Sequence, residues 1–153
     1  MKTLVFDLDI YSYDIDFMGH VNNAVYIHWM EIGRTKLLEA IGLPIHEILK
    51  QGFAPVLVNT NITYKSPLYL GDRVQVEIWL SELRNASANL QFRFYNSQQI
   101  LAAEGVQKGL FVDTKTLRPK RLSPEERSLF MPYLASNSEE QVSKTQSELY
   151  KKK

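Results

Sequence analysis

The chain has 153 residues, 44% hydrophobic and 23% charged, enough apolar content for one globular domain with its own core. A net charge of +1 excludes the electrostatic footprint of a nucleic-acid binder, and the absence of cysteine excludes disulfides, thiolate metal sites and cysteine nucleophiles. No apolar run approaches the length of a membrane span, and acids interrupt the opening Met1-Lys2-Thr3-Leu4-Val5-Phe6-Asp7 too early for a secretory signal, so a cytoplasmic protein is expected.

From Leu4 to Tyr13 the residues alternate, with Leu4, Phe6, Leu8 and Ile10 on one face and Val5, Asp7, Asp9 and Tyr11 on the other, which predicts a half-buried strand. A helix start follows. Asn22 is suited to the N-cap, because its side-chain oxygen can accept from a first-turn N–H, and Val21 and Tyr26 are placed to pack as a hydrophobic staple. Asn23 is then the first helical residue, its backbone N–H unpaired. The far end is marked by Gly42, by Leu43 placed to fold back onto Leu38, and by Pro44, so the helix is expected from Asn23 to Ile41, about 28 Å long. Tyr26, Met30, Gly33, Leu37 and Ile41 line one side with Trp29 and Ala40 beside them.

Ile45 to Gln51 reads as a short helical turn. Four segments rich in β-branched and aromatic residues follow, Ala54 to Tyr64, Arg73 to Leu83, Ala88 to Tyr95 and Ile100 to Asp113, separated by Ser66-Pro67, Gly71-Asp72, Arg84-Asn85 and Asn96-Ser97-Gln98-Gln99. Such short connections favour antiparallel neighbours. Strand, long helix, then a run of strands implies an α+β domain with the helix against one face of a curled antiparallel sheet. The pattern fades from Leu122. Residues 1–132 are assigned to the domain and 133–153 to a tail, whose polar stretch Ser136 to Lys153 has little to bury and is expected to be disordered.

Asp16-Phe17-Met18-Gly19-His20-Val21-Asn22-Asn23, followed by Tyr26, by Glu31-Ile32-Gly33-Arg34 and by Thr60-Asn61-Ile62-Thr63-Tyr64 ahead of Pro67 and Gly71-Asp72, resembles the 4-hydroxybenzoyl-CoA thioesterase-like branch of the hot-dog superfamily. The likeness is greatest to its acyl-CoA and acyl-acyl-carrier-protein thioesterases. It implies a hot-dog fold, a long central helix wrapped by a curled antiparallel sheet, and hydrolysis of an acyl thioester to free acid and thiol.

Thioester hydrolysis needs a nucleophile and donors aimed at the carbonyl oxygen as it becomes an oxyanion. By position in the motif the family's catalytic carboxylate corresponds to Asp16, as nucleophile or as general base on water, and its oxyanion donor to the backbone N–H of Asn23. Gly19 lets the backbone approach substrate or adopt positive φ; His20 orients Asp16, contacts the thioester or stabilises the loop. Asn22 and Tyr26 are substrate-side candidates, and Asp14, two residues from Asp16, is a second carboxylate that could raise one of the two pKa values or simply be a solvated turn acid. Glu31 is the reserve acid or base, with an ion pair to Arg34 at i+3 as the alternative.

In this family the site lies at a dimer interface, which makes Asn59, Thr60 and Asn61 the polar candidates on the partner strand and implies a homodimer or homotetramer. A dry acyl slot is expected among Tyr26, Trp29, Met30, Phe53, Val56 and Val58, and Lys65, Arg73, Arg84, Arg93, Lys108 and Lys120 are the cations available to a CoA or acyl-carrier phosphate. His20, His28 and His46 lack metal-ligand spacing, so no metal is expected, and no nucleotide-binding glycine loop calls for a cofactor. Two other functions share these residues. One is a hydratase or dehydratase on β-hydroxyacyl or enoyl thioesters using His20 with Asp16; the other is a non-catalytic acyl-thioester binding module.

Overall fold

A computed structural model describes residues 1–136, so nearly all of the expected disordered tail lies outside the described residues. Strand β1 (Leu4–Asp9) is followed by a 3₁₀ turn at Ser12–Asp14, then α1 (Asn23–Ala40), α2 (Ile45–Lys50), β2 (Phe53–Tyr64), β3 (Arg73–Leu83), β4 (Ser87–Tyr95), β5 (Leu101–Asp113), α3 (Pro124–Phe130) and a closing 3₁₀ turn at Met131–Tyr133. The five strands form one sheet in the order β1-β3-β4-β5-β2, every neighbouring pair antiparallel. The sheet curls around α1 in the hot-dog arrangement that the sequence implies.

The ends of α1 follow from local chemistry. Asn22 Oδ1 accepts from the N–H of Ala24 at 2.9 Å, satisfying one first-turn donor. At the other end Gly42 takes φ +85°, its N–H donates to Glu39 O, and the N–H of Leu43 donates to Leu38 O at 2.8 Å, a Schellman closure. Tyr26, Trp29, Met30, Gly33, Leu37, Leu38 and Ile41 are buried, whereas Ala40, expected beside them, is exposed, because the burial stripe turns through Leu37 and Leu38. Against this face lie the inward residues of the sheet, Val74, Val76 and Ile78 of β3 and Phe92 and Phe94 of β4, all nearly fully buried. Contact is closest at Gly105 of β5. A Cβ there would sit 2.6 Å from Met30 Cε and 3.1 Å from Asn61 O.

Two further expectations need correction. β1 ends at Asp9 rather than Tyr13, because the Asp14 carboxylate accepts from the N–H of Tyr11 at 2.9 Å and draws Tyr11 to Asp14 into a turn. Beyond Leu122 the chain does not fade but forms α3, opened by a capping box in which Ser123 Oγ accepts from the N–H of Glu126 and Glu126 Oε1 accepts from the N–H of Ser123. Phe130 of that helix is buried against Phe111, so α3 belongs to the core.

Strand β2 forms one edge of the sheet, paired only with β5. It is 12 residues long, and Val56, Leu57 and Val58 are 42%, 41% and 57% exposed along it. A long edge bearing exposed β-branched residues is a template for pairing with another strand.

Candidate active site

Residues 14–22 make a short hairpin that delivers Asp16 to the start of α1. Ile15 bridges to Val21, the N–H of Asp16 donates to His20 O at 2.7 Å, and the N–H of Asn22 donates to Asp14 O at 2.8 Å. The loop is pinned from outside by the N–H of Val21 donating to Leu68 O and by a bridge from His20 to Tyr69. At its tip Gly19 donates its N–H to Asp16 O at 3.0 Å with φ +77°, a conformation costly for any residue with a Cβ.

The Asp16 carboxylate is held by backbone donors. Oδ1 accepts from the N–H of Met18 at 2.9 Å and of His20 at 3.2 Å, while Oδ2 has no hydrogen-bond partner among the described residues. One oxygen thus fixes the group, and the other makes no hydrogen bond to the described residues. The backbone of His20, rather than its ring, touches this carboxylate; the ring packs edge-on against Tyr69 with centroids 5.1 Å apart.

Asp16, His20, Val21, Asn23, Tyr26, Tyr64, Lys65, Ser66 and Pro67 line one open cleft of about 270 Å³. As the first residue of α1, Asn23 has an N–H outside the helical ladder, at the positive end of the helix dipole. Its carbonyl accepts from Tyr64 Oη at 3.0 Å, which ties the helix start to β2. Tyr26 is buried in an aromatic cluster with Trp29, Tyr64 and Phe94, and burial, reinforced by Tyr64, pushes its phenol well above the ordinary range. It is a neutral wall of the cleft.

The sequence candidates divide into two groups. Asp16, His20, Asn23 and Tyr26 share the cleft, with Gly19 shaping the loop and Asn22 capping the helix beside it. Glu31 stands two turns along α1 in an ion pair with Arg34, and Asn59, Thr60 and Asn61 lie exposed on β2, none of them lining the cleft. Of the residues expected to form a dry slot, Tyr26, Trp29, Met30 and Phe53 belong to the packed core and Val58 is exposed. Tyr64 enters the cleft from the end of β2, and Ser66 and Pro67 from the β2–β3 connection, none of them assigned to a site from the sequence. Lys65, beside them, sits 3.4 Å from Glu104.

Gln107, away from the cleft, is a further residue that sequence reasoning passed over. It is fully buried, accepts from Arg34 Nη1 at 2.6 Å and donates to Thr60 Oγ1 at 3.2 Å, so a polar chain runs from Glu31 through Arg34 and Gln107 to Thr60. Its signal is a polar side chain that continues the buried, apolar alternate positions Ala103 and Gly105 of β5. Burial pulls the Arg34 guanidinium below its ordinary range, opposed by the neighbouring Glu31. Among the described residues no three His, Asp or Glu side chains gather into a possible metal site, and no helix is long and apolar enough to cross a membrane.

Comparison with known proteins points the same way as the cleft. The profile of the thioesterase-like superfamily matches residues 12–131. The chain is 28% identical over 113 residues to a candidate acyl-CoA thioesterase of Bacillus subtilis, YneP, covering 74% of this chain and 82% of that one. It is 32% identical over 131 residues to the chloroplastic acyl-acyl carrier protein thioesterase ATL3 of Arabidopsis thaliana, covering 84% and 67%. Among solved structures, a hypothetical protein from Thermus thermophilus superposes with a TM-score of 0.78 at 26% identity, over 84% of this chain and 98% of that one.

Proposed function

The chain belongs to the thioesterase-like superfamily and is a thioester hydrolase, and we propose that it cleaves acyl-CoA or acyl-acyl-carrier-protein thioesters at the Asp16 cleft. The observation that carries this reading is that a carboxylate with one oxygen fixed and one unpartnered opens into the same cleft as the N-terminus of α1. Those are the two groups thioester hydrolysis needs, a nucleophile or base and a donor for the developing oxyanion.

With the carbonyl oxygen at the Asn23 N–H, two routes lead to the same products. Asp16 Oδ2 attacks the carbonyl carbon, the C–S bond breaks, the thiolate leaves and takes a proton, and water then opens the acyl anhydride to free acid and carboxylate. Alternatively Oδ2 takes a proton from water as its oxygen attacks, and the thiolate leaves directly, gaining that proton. Loss of a single oxyanion donor in acyl-transfer enzymes costs about 100- to 1000-fold in turnover, so the helix start is assigned a share comparable to the carboxylate.

The exposed edge of β2 supports a homodimer in which Asn59, Thr60 and Asn61 of one copy face the Asp16 cleft of the other, a tetramer being built from two such pairs. Thiol release by the purified full chain across acyl-CoA and acyl-carrier-protein substrates tests the reading. Release of one thiol per acid formed supports it. Hydration of an enoyl-CoA without thiol release would favour a hydratase, and tight binding without turnover a binding module.

A further inference from the structure

The N–H assigned to the oxyanion sits at a helix end, where backbone frays, yet a catalytic donor has to be held within about 0.5 Å of its working position. Hydrogen bonds outside the helical ladder brace it. The N–H of Asn22 donates to Asp14 O at 2.8 Å, the N–H of Ala24 to Asn22 Oδ1 at 2.9 Å, and Tyr64 Oη to Asn23 O at 3.0 Å. The last two meet on one peptide unit, the Asn23 carbonyl with the Ala24 amide, which is therefore gripped by the cap at one end and by the sheet at the other. Backbone satisfaction does not require the tyrosine. The groups left without partners at a helix N-terminus are N–H donors, whereas a carbonyl there is served by the helical ladder and takes the phenol on its second lone pair. Tyr64 closes β2 opposite Ala103 of β5, and just beyond it the N–H groups of Lys65 and Ser66 both donate to Ala102 O, at 2.8 and 3.0 Å. Its ring stands edge-on to Tyr26 with centroids 5.2 Å apart, so the hydroxyl comes from a strand end that is itself pinned. Desolvation raises the phenol above its ordinary range and keeps it a donor at neutral pH.

We propose that Tyr64 is a positioning residue for thioester hydrolysis, its hydroxyl holding the first turn of α1 so that the Asn23 N–H stays aimed at the carbonyl oxygen. The inference rests on the thioester-hydrolase reading and deepens it at the same cleft, which Tyr64 lines. The tyrosine acts through the backbone, because its hydroxyl is engaged by Asn23 O rather than turned on a reacting atom. A loosened donor costs most where negative charge is greatest, in the transition state, and little on the ground-state carbonyl, so the loss falls on kcat rather than KM.

Tyr64→Phe removes the hydroxyl alone and keeps the ring beside Tyr26. At 42% exposure the position tolerates the change, and the melting temperature of the full-length protein is expected to fall by no more than about 5 °C. On the substrate that the wild type cleaves fastest, kcat for thiol release should fall about 10- to 100-fold, part of the loss of a whole donor, with KM changed less than about threefold. A pair of non-hydrolysable ligands separates positioning from a structural strap. A ketone isostere of acyl-CoA with CF2 in place of the sulfur, bound as its tetrahedral hydrate, should lose at least about tenfold in affinity, and the S-alkyl-CoA thioether of the same chain, which has no carbonyl, less than about threefold. A folded Tyr64→Phe protein with kcat within about twofold of wild type, or with equal losses for ketone and thioether, overturns the proposal. Loss of folding in Tyr64→Phe would assign the hydroxyl to stability and overturn it as well. If the wild type releases no thiol from any acyl-CoA or acyl-carrier-protein substrate, the hydrolase reading falls and the role of Tyr64 with it, whereas equal release by wild type and variant removes only the role of Tyr64.

Discussion

Replacing Asn22 by Asp separates the two jobs assigned to the start of α1. Asn22 Oδ1 accepts from the N–H of Ala24 at 2.9 Å, and an aspartate oxygen can take the same bond. Asp is as good an N-cap as Asn, and a negative charge at a helix N-terminus is worth about 0.3–1 kcal/mol, so Asn22→Asp should melt at or slightly above the wild-type temperature. The same charge opposes an oxyanion forming at the neighbouring Asn23 N–H. Two unit charges roughly 5 Å apart at an effective dielectric of about 20 repel by ~3 kcal/mol, and the exposure of Asn22 reduces this to about 1–2 kcal/mol. Turnover is then expected to fall about 5- to 30-fold. Asn22→Ala is the control, losing the cap at a cost of about 1 kcal/mol, or about 2–4 °C in melting temperature, without adding charge. Thiol release at saturating acyl-CoA, alongside thermal melts, reads both effects. An Asn22→Asp protein of undiminished stability and undiminished kcat would refute the placement of the oxyanion at the helix start.

Gly19→Ala adds a Cβ that meets no heavy atom within 4 Å, so its cost is that of the +77° backbone alone, about 1–2 kcal/mol. Because the same turn holds the Asp16 carboxylate, kcat should fall along with the melting temperature, and an unchanged melt would contradict the strained turn. Tyr26 supplies a pH prediction. Burial raises its folded pKa above the unfolded value near 10, so above that pH the unfolded chain gives up a proton that the native chain keeps. Stability is therefore full below about pH 10 and declines above it, by up to about 1.4 kcal/mol per pH unit from this phenol; urea midpoints measured from pH 8 to 11 should show the decline for wild type and a smaller one for Tyr26→Phe.

What the sequence disclosed was local. Asn22, Gly42 and Leu43 act on backbone within five residues of themselves, so both ends of α1 could be read from a single strand of text, as could the alternation of Leu4, Phe6 and Leu8. The β1 boundary was overrun because Ile10 and Tyr11 keep the strand pattern while the Asp14 carboxylate, three residues on, captures the Tyr11 N–H. α3 was missed although Ser123-Pro124-Glu125-Glu126 carries a capping signal, since its apolar face is short and its partner Phe111 lies on another element. The site divides in the same way. The Asp16 loop and the helix start are contiguous and were legible, whereas Tyr64, Ser66 and Pro67 join the cleft only through folding, and Gln107 gains meaning from Arg34, 73 positions away.

The central claim is that Asp16 is the reacting or base-providing carboxylate. Asp16→Asn is the sharpest probe, since the amide keeps an oxygen for the Met18 and His20 N–H groups that hold the loop while removing the charge and basicity of the side chain. With thermal melts showing a folded protein, kcat for thiol release from a good acyl-thioester substrate is expected to fall at least about a thousandfold. Hydrolysis by folded Asp16→Asn within a few-fold of wild type would contradict it.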